Sequence, residues 1–152
     1  MRISLKSWSR CCRSVAGAGE PRYPVPMDDR SLVAVAEQAA ATAKVLRSPI
    51  EGATILYDDG SISRGCRLEY EDASLDQDAI SNAIAAGRSV GAYRPLRIGI
   101  YSPVAEGMPE VSVAALQRLQ AVAVPNLEVI FSSGSGEQVA RSLSEMLVAA
   151  SL

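Results

Sequence analysis

The chain has 152 residues, of which 48% are hydrophobic, 21% charged and only 5% aromatic, a composition typical of one globular domain with an aliphatic core. Its formal net charge is -2, and the part of the chain from Glu20 onward holds 11 basic and 17 acidic residues. An acidic body repels phosphate backbones, so direct nucleic-acid binding is not expected.

The first 19 residues contain four basic residues, four serines and no acid, which is typical of a mitochondrial or plastid targeting peptide. Written as a helix, they have a basic face and an apolar face. We therefore predict a mitochondrial location on the matrix side, with the plastid as the alternative, and a basic disordered tail is the other interpretation. If retained, the segment is expected to bind a partner through Arg2, Lys6, Trp8, Arg10 and Arg13.

Residues 20–27 contain three prolines, which remove backbone donors and disfavour a helix. We therefore predict an N-terminal extension and linker over residues 1–27 and a single domain over residues 28–152. No stretch approaches the roughly 20 apolar residues of a membrane-spanning helix, so no transmembrane segment is predicted.

The domain is predicted to begin with a helix over residues 28–46, capped by Asp28 or Asp29, and to continue with a hairpin. The hairpin pairs a strand over residues 53–57 with one over 62–70, through an Asp-Asp-Gly turn. Helices and strands alternate in the rest of the chain. We predict helices over 76–88, 109–122 and from 138 or 142 to 150, and strands over 96–101 and 127–131.

This order predicts an α/β fold with a mixed sheet that has an N-terminal antiparallel hairpin and parallel crossovers, and helices on both faces. Histidine is absent, which excludes Ser-His and Cys-His nucleophilic catalysis and a zinc site with imidazole ligands. The three cysteines, of which Cys11 and Cys12 are adjacent, indicate a reducing compartment.

Several segments, in order, resemble the small zinc-dependent cytidine deaminases. The sequence GATILYDDGSISRGC, residues 52–66, is similar to the family's opening hairpin, and residues 71–74 (EDAS) to its E-N-A-S. Residues 78–84 resemble its C-A-E-R helix start, and residues 126–130 and 143–147 its closing strand and helix. The resemblance covers roughly residues 30–150 and implies a three-layer α-β-α sandwich of cytidine deaminase-like type.

In that family three thiolate or imidazole ligands hold zinc, and a nearby Glu moves protons between the bound water and the pyrimidine. The resemblance places the first ligand at Asp78 and the proton-shuttling Glu at Ile80. Its P-C-x-x-C pair falls on Pro109 to Val113, so Glu110 and Val113 stand where thiolates would be. We therefore predict a degenerate member without catalytic residues, metal or cofactor.

Asp78 and Glu110 have two interpretations, as ligands of a hard cation such as Mg²⁺ or Ca²⁺ or as helix caps, and capping is favoured because two carboxylates are too few for such an ion. The resemblance also implies a vestigial nucleoside pocket at Glu51, Arg67 and Glu69. Cys66 aligns with a family cysteine that is not a metal ligand, and a small buried apolar role is preferred for it.

The resulting hypothesis is a non-catalytic pseudoenzyme that serves as a structural or accessory subunit of a larger, mitochondrial, multi-protein complex. The expected partners are protein subunits, including another deaminase-fold subunit, because the family assembles through its helices. A respiratory complex, an ATP synthase and a mitochondrial ribosome all remain open. The alternatives are an active cytidine deaminase with an atypical site and a module that binds a nucleoside without converting it.

Overall fold

A computed structural model describes residues 27–104, 107–124 and 126–152 of the chain. The predicted tail residues lie outside these ranges. In the described part of the chain no helix is both long and apolar enough to cross a membrane, and the longest helix has 12 residues. The elements are α1 (Asp29–Ala40), β1 (Gly52–Tyr57), β2 (Ile62–Cys66), a 3-10 turn (Ala73–Leu75), α2 (Ala79–Ser89), β3 (Pro95–Tyr101), α3 (Val113–Val122), β4 (Glu128–Ser132), β5 (Gln138–Ser142) and α4 (Leu143–Ala149).

The strands form one mixed sheet in the order β2-β1-β3-β4-β5. β1 is antiparallel to both β2 and β3, β3 is parallel to β4, and β5 returns antiparallel to β4. The connections through α2 and α3 therefore each join strands that run in the same direction. The predicted antiparallel hairpin and parallel crossovers are confirmed.

The helices cover both faces of the sheet, which makes three layers. On one face α1 packs over β1 and β3, where Leu32 and Val33 contact Ile130. On the other face the alternate residues Ile98 and Ile100 of β3 join a larger cluster with apolar side chains of α2, α3 and α4. The predicted α/β sandwich is thus confirmed.

Two strand glycines allow these helices to lie close to the sheet. A Cβ atom at Gly52 would meet the backbone of α1 at Ala36 and Ala40, and one at Gly65 would meet the backbone of α2 at Ala79. No other residue type fits there without a shift of the backbone, because an L side chain would occupy the space of the helix.

Two predicted boundaries are wrong because contacts between distant segments override the local pattern. α1 ends at Ala40 rather than at residue 46, since the chain turns there and Lys44 bridges Leu68 beside β2. β2 ends at Cys66 rather than at residue 70, because Leu68 no longer pairs with β1 and instead forms bridges with Lys44 and Gln77.

Two further boundaries differ near the C-terminus. α3 begins at Val113 rather than at residue 109, since Ser112 supplies its cap. Of the two predicted starts for the last helix, 142 is confirmed and 138 is wrong, because residues 138–142 form strand β5 and Ser142 then caps α4 in a capping box with Glu145.

Candidate functional site

A cleft of about 560 Å³ opens where the chain enters β1, leaves β2 and approaches α3. Its wall includes Glu51, Arg67 and Glu110. A small cavity of about 20 Å³ shares these three side chains and is lined in addition by Asp78 and Ile80. The structure therefore brings five of the seven predicted site residues into one place.

The other two predicted residues lie nearby. Glu69 lines an adjoining cleft of about 290 Å³ together with Arg67, Asp78 and Arg118. Val113 is the first residue of α3 and is half exposed. Another cleft, of about 570 Å³, lies beside Ser133 to Ser135 and is lined by none of the seven.

Asp78 caps α2 and ties it to α3. One carboxylate oxygen accepts a hydrogen bond from the backbone N–H of Ser81 at 2.8 Å, and the other accepts from the Ser81 hydroxyl at 2.6 Å. Arg118 of α3 donates to that second oxygen at 3.1 Å. Both oxygens are thus engaged within the chain. The expected capping role is present for Asp78 but wrong for Glu110, because α3 begins only at Val113 and Ser112 caps it.

Ile80 lies in the first turn of α2 and is 2% exposed. It belongs to the larger core cluster, together with Ile100 and Leu116. The same side chain borders the small cavity. At this position the cavity is lined by an apolar group that has no proton to exchange.

Glu51 and Arg67 form an ion pair inside the cleft, with Arg67 Nη2 donating to Glu51 Oε2 at 2.5 Å. Glu51 is only 4% exposed, and its second oxygen accepts the backbone N–H of Ala79 at 3.2 Å. Burial raises the pKa of Glu51, while the neighbouring Arg67 charge and the Ala79 hydrogen bond act in the opposite direction.

Glu69 is buried and holds the loop that follows α1. Its Oε2 atom accepts backbone N–H groups of Leu46 and Arg47, each at 2.6 Å, and of Ser48 at 3.3 Å. Hydrogen bonding by Ser48, followed by these backbone donors, lowers the pKa of Glu69 to about 2. Glu69 therefore anchors one wall of the cleft.

Sequence reasoning missed three polar residues that border these clefts. Ser112 was detectable as a serine just before an apolar helical run, which is an N-cap signal. Ser48 and Arg118 gave no local signal, because their partners Glu69 and Asp78 lie 21 and 40 residues away.

The side chains at this site do not fit the zinc ion that the predicted family uses. Zinc favours thiolate and imidazole ligands in tetrahedral geometry. The cavity instead presents the carboxylates of Glu51, Asp78 and Glu110, of which the first two are paired with arginines. Within the described ranges, no group of three or more His, Cys, Asp or Glu residues is arranged to hold a metal ion. Cys66 is partly buried in β2 and does not line the small cavity.

Neither the protein-family models nor the curated proteins include a match to the chain. Solved structures do match. The cytidine deaminase from Burkholderia pseudomallei superposes with a TM-score of 0.74 at 21% identity, covering 79% of this chain and 96% of that one. That from Mycobacterium tuberculosis gives 0.67 at 26% identity over 79% and 94%, and that from Mycobacterium leprae 0.67 at 17% over 78% and 95%.

The chain therefore has a cytidine deaminase-like fold, as its sequence predicted. The matched region covers nearly the whole of each of the three enzymes.

Proposed function

We propose that this chain is a non-catalytic protein of cytidine deaminase-like fold that acts as a structural, accessory subunit of a larger mitochondrial complex. The burial of Ile80 carries the first half of this proposal. General acid-base catalysis needs a titratable group within hydrogen-bond reach of the substrate. Ile80 has none, and it packs into the core at the position where the family resemblance places the proton-shuttling Glu.

The use of Asp78 supports the same conclusion. Its two oxygens cap α2 and pair with Arg118, so metal binding would require breaking three existing contacts. A carboxylate that is committed in this way stabilises the junction of two helices.

Ammonia release tests the lack of catalysis. We expect none when the full chain is incubated with cytidine and zinc, with a cytidine deaminase as the positive control. Ammonia release above that of a sample without the chain, or metal bound in a one-to-one ratio and lost in D78N, would contradict the proposal.

The accessory role is supported by the basic, amphipathic sequence of residues 1–19 ahead of an acidic body. Tagged full-length protein should be protected from protease in isolated mitochondria and should migrate with other subunits on native gels. Cross-linking should join residues 1–19 to one of them. Replacing Arg2, Lys6, Arg10 and Arg13 with Gln should weaken import or association. Migration only as a free chain would exclude the accessory role.

A second candidate function is the binding of a nucleoside, with or without conversion. It is favoured by the cleft of about 560 Å³, whose volume is in the range of small-molecule sites. The vestigial pocket residues Glu51 and Arg67 line this cleft, and Glu69 supports its wall. A nucleoside that binds only the folded chain would raise its melting temperature. The absence of any shift with cytidine, uridine or their monophosphates would rule this candidate out.

A further inference from the structure

The inner end of the cleft holds a carboxylate that belongs to the chain itself. The Glu51 carboxylate receives Arg67 Nη2 on one oxygen and the N–H of Ala79, at the start of the 11-residue helix α2, on the other. Arg67 is held from a second side, because its Nη1 donates to the carbonyl of Pro49 at 3.3 Å. A guanidinium and a backbone N–H at a helix start are groups that bind small anions in proteins.

The backbone presets this arrangement. Arg67 N donates to the Glu51 carbonyl at 2.9 Å, which continues the β1-β2 ladder one step beyond the Gly52-Cys66 pair. Side chains at such opposed positions are neighbours. The guanidinium and the carboxylate therefore meet inside the cleft as a consequence of strand register.

The burial of Glu51 indicates that strong donors surround its carboxylate. A carboxylate that is 4% exposed has lost its water, and this cost is offset only by close, well-directed donors. Burial accordingly raises the pKa of Glu51, and the Arg67 charge opposes that rise.

We infer that the inner end of the cleft is an anion-binding site with a built-in occupant, the Glu51 carboxylate, which closes the small cavity to external carboxylates. The inference concerns occupancy and so goes beyond the lack of catalysis proposed above. One consequence concerns variants that restore the family's zinc ligands at positions 78, 110 and 113 and its Glu at position 80. Their small cavity remains blocked as long as Glu51 is present.

Small carboxylates test this occupancy. E51A leaves a carboxylate-sized space beside Arg67 and the Ala79 N–H. Formate and acetate should raise its melting temperature in a saturable way, and at ten times Kd the unfolding constant should fall about tenfold. The wild type and E110A, which loses an acid from the same cleft wall, should show no saturable shift against sodium chloride of equal ionic strength. The double variant E51A/R67M should lose the response.

Equal shifts in wild type and E51A, or no shift in E51A, would overturn the inference. If E51A folds only when formate is present, that result supports the inference.

If E51A folds neither with nor without formate, a double-mutant cycle of E51Q, R67M and E51Q/R67M tests the inference instead. R67M leaves the carboxylate buried without its charged partner, so the unfolding constant of this variant should rise by about a hundredfold or more. The double variant should recover at least about tenfold of that loss. Additive effects would show that the two groups do not form one site.

Discussion

Glu69 shows how a single carboxylate can shape the cleft. Three successive backbone N–H groups, from Leu46 to Ser48, point at one of its oxygens. The same loop is held a second time by Arg47, which donates to Asp76 and to the carbonyl of Tyr70. Because Ser48 lines both adjoining clefts, these contacts fix the position of part of their wall.

We expect E69Q to lower the unfolding free energy at neutral pH. We also expect the unfolding free energy of E69Q to depend less on pH below pH 4.5 than that of the wild type. The pKa of Glu69 is lowered to about 2 in the folded chain, from an ordinary value of 4.5. A lowered pKa means that its contribution to stability is fully present above pH 4.5 and is lost as the pH falls toward 2. Urea unfolding of wild type and E69Q between pH 6 and pH 2 measures the difference.

The exposed neighbour Glu71 provides the matched control, since it lies outside the loop contacts. E71Q should follow the wild-type profile. If E69Q keeps the wild-type slope between pH 4.5 and 2, the three backbone donors do not stabilise the Glu69 carboxylate.

The junction of α2 and α3 depends on Asp78, which acts both as a helix cap and as an ion-pair partner. The Arg118 side chain is 55% exposed, so its ion pair with Asp78 contributes little in water. We expect D78A to lower the unfolding free energy by about 1 kcal/mol through loss of the cap. R118A should cost less than about 0.5 kcal/mol.

D78N separates these two contributions, because asparagine caps as well as aspartate but carries no charge. In chemical denaturation, the unfolding free energy of D78N should be close to that of R118A. A cost for D78N as large as that of D78A would assign the stability to the charge.

The strand glycines Gly52 and Gly65 give a prediction about the packing of the helices on the sheet. Ala in place of Gly52 or Gly65 pushes a Cβ into the backbone of α1 or α2, which cannot yield as a side chain can. We expect each substitution to cost about 3 kcal/mol or more. Gly136 is the control: its φ of 88° disfavours an L residue, but a Cβ there meets no atom within 4 Å. G136A should therefore cost only about 1 to 2 kcal/mol in urea unfolding, and equal costs at all three positions would rule out a steric origin.

The sequence predicts most elements of this fold because their apolar residues form a short continuous run, as in β1, or repeat with the helical period, as in α2. It fails for β5, whose five residues include one exposed alanine and a single larger apolar side chain, Val139. Strand formation there depends on pairing with β4 along the sheet edge. The site follows the same rule. Positions 78, 80 and 110 are located by resemblance. The contacts of Arg118 with Asp78 and of Ala79 N–H with Glu51 join residues 40 and 28 positions apart, so they form only on folding.

In the whole molecule, three ion pairs connect charged side chains of the region around the clefts. Glu51 pairs with Arg67, Asp78 with Arg118, and Asp76 with Arg47. The first pair joins the residue before β1 to the residue after β2, and the second joins the cap of α2 to the middle of α3. The third joins the loop after α1 to the segment before α2. These contacts connect the elements around the clefts, and the partner binding proposed above is assigned to the N-terminal segment, residues 1–19.

The domain boundary predicted near residue 27 gives the last prediction. Met27 packs against the α1 cluster of Leu32, Val33 and Ile130, and its carbonyl accepts Arg97 Nη1 at 3.3 Å. A chain that begins at Met27 should therefore keep the full unfolding free energy within about 0.5 kcal/mol. It has 10 basic and 16 acidic residues, so the comparison belongs at about 0.15 M salt, where repulsion is screened beyond roughly 8 Å. M27A in the shortened chain should cost roughly 1 kcal/mol, less than a fully buried methionine. A loss above 1 kcal/mol on removing residues 1–26 would show that the N-terminal segment is part of the folded domain.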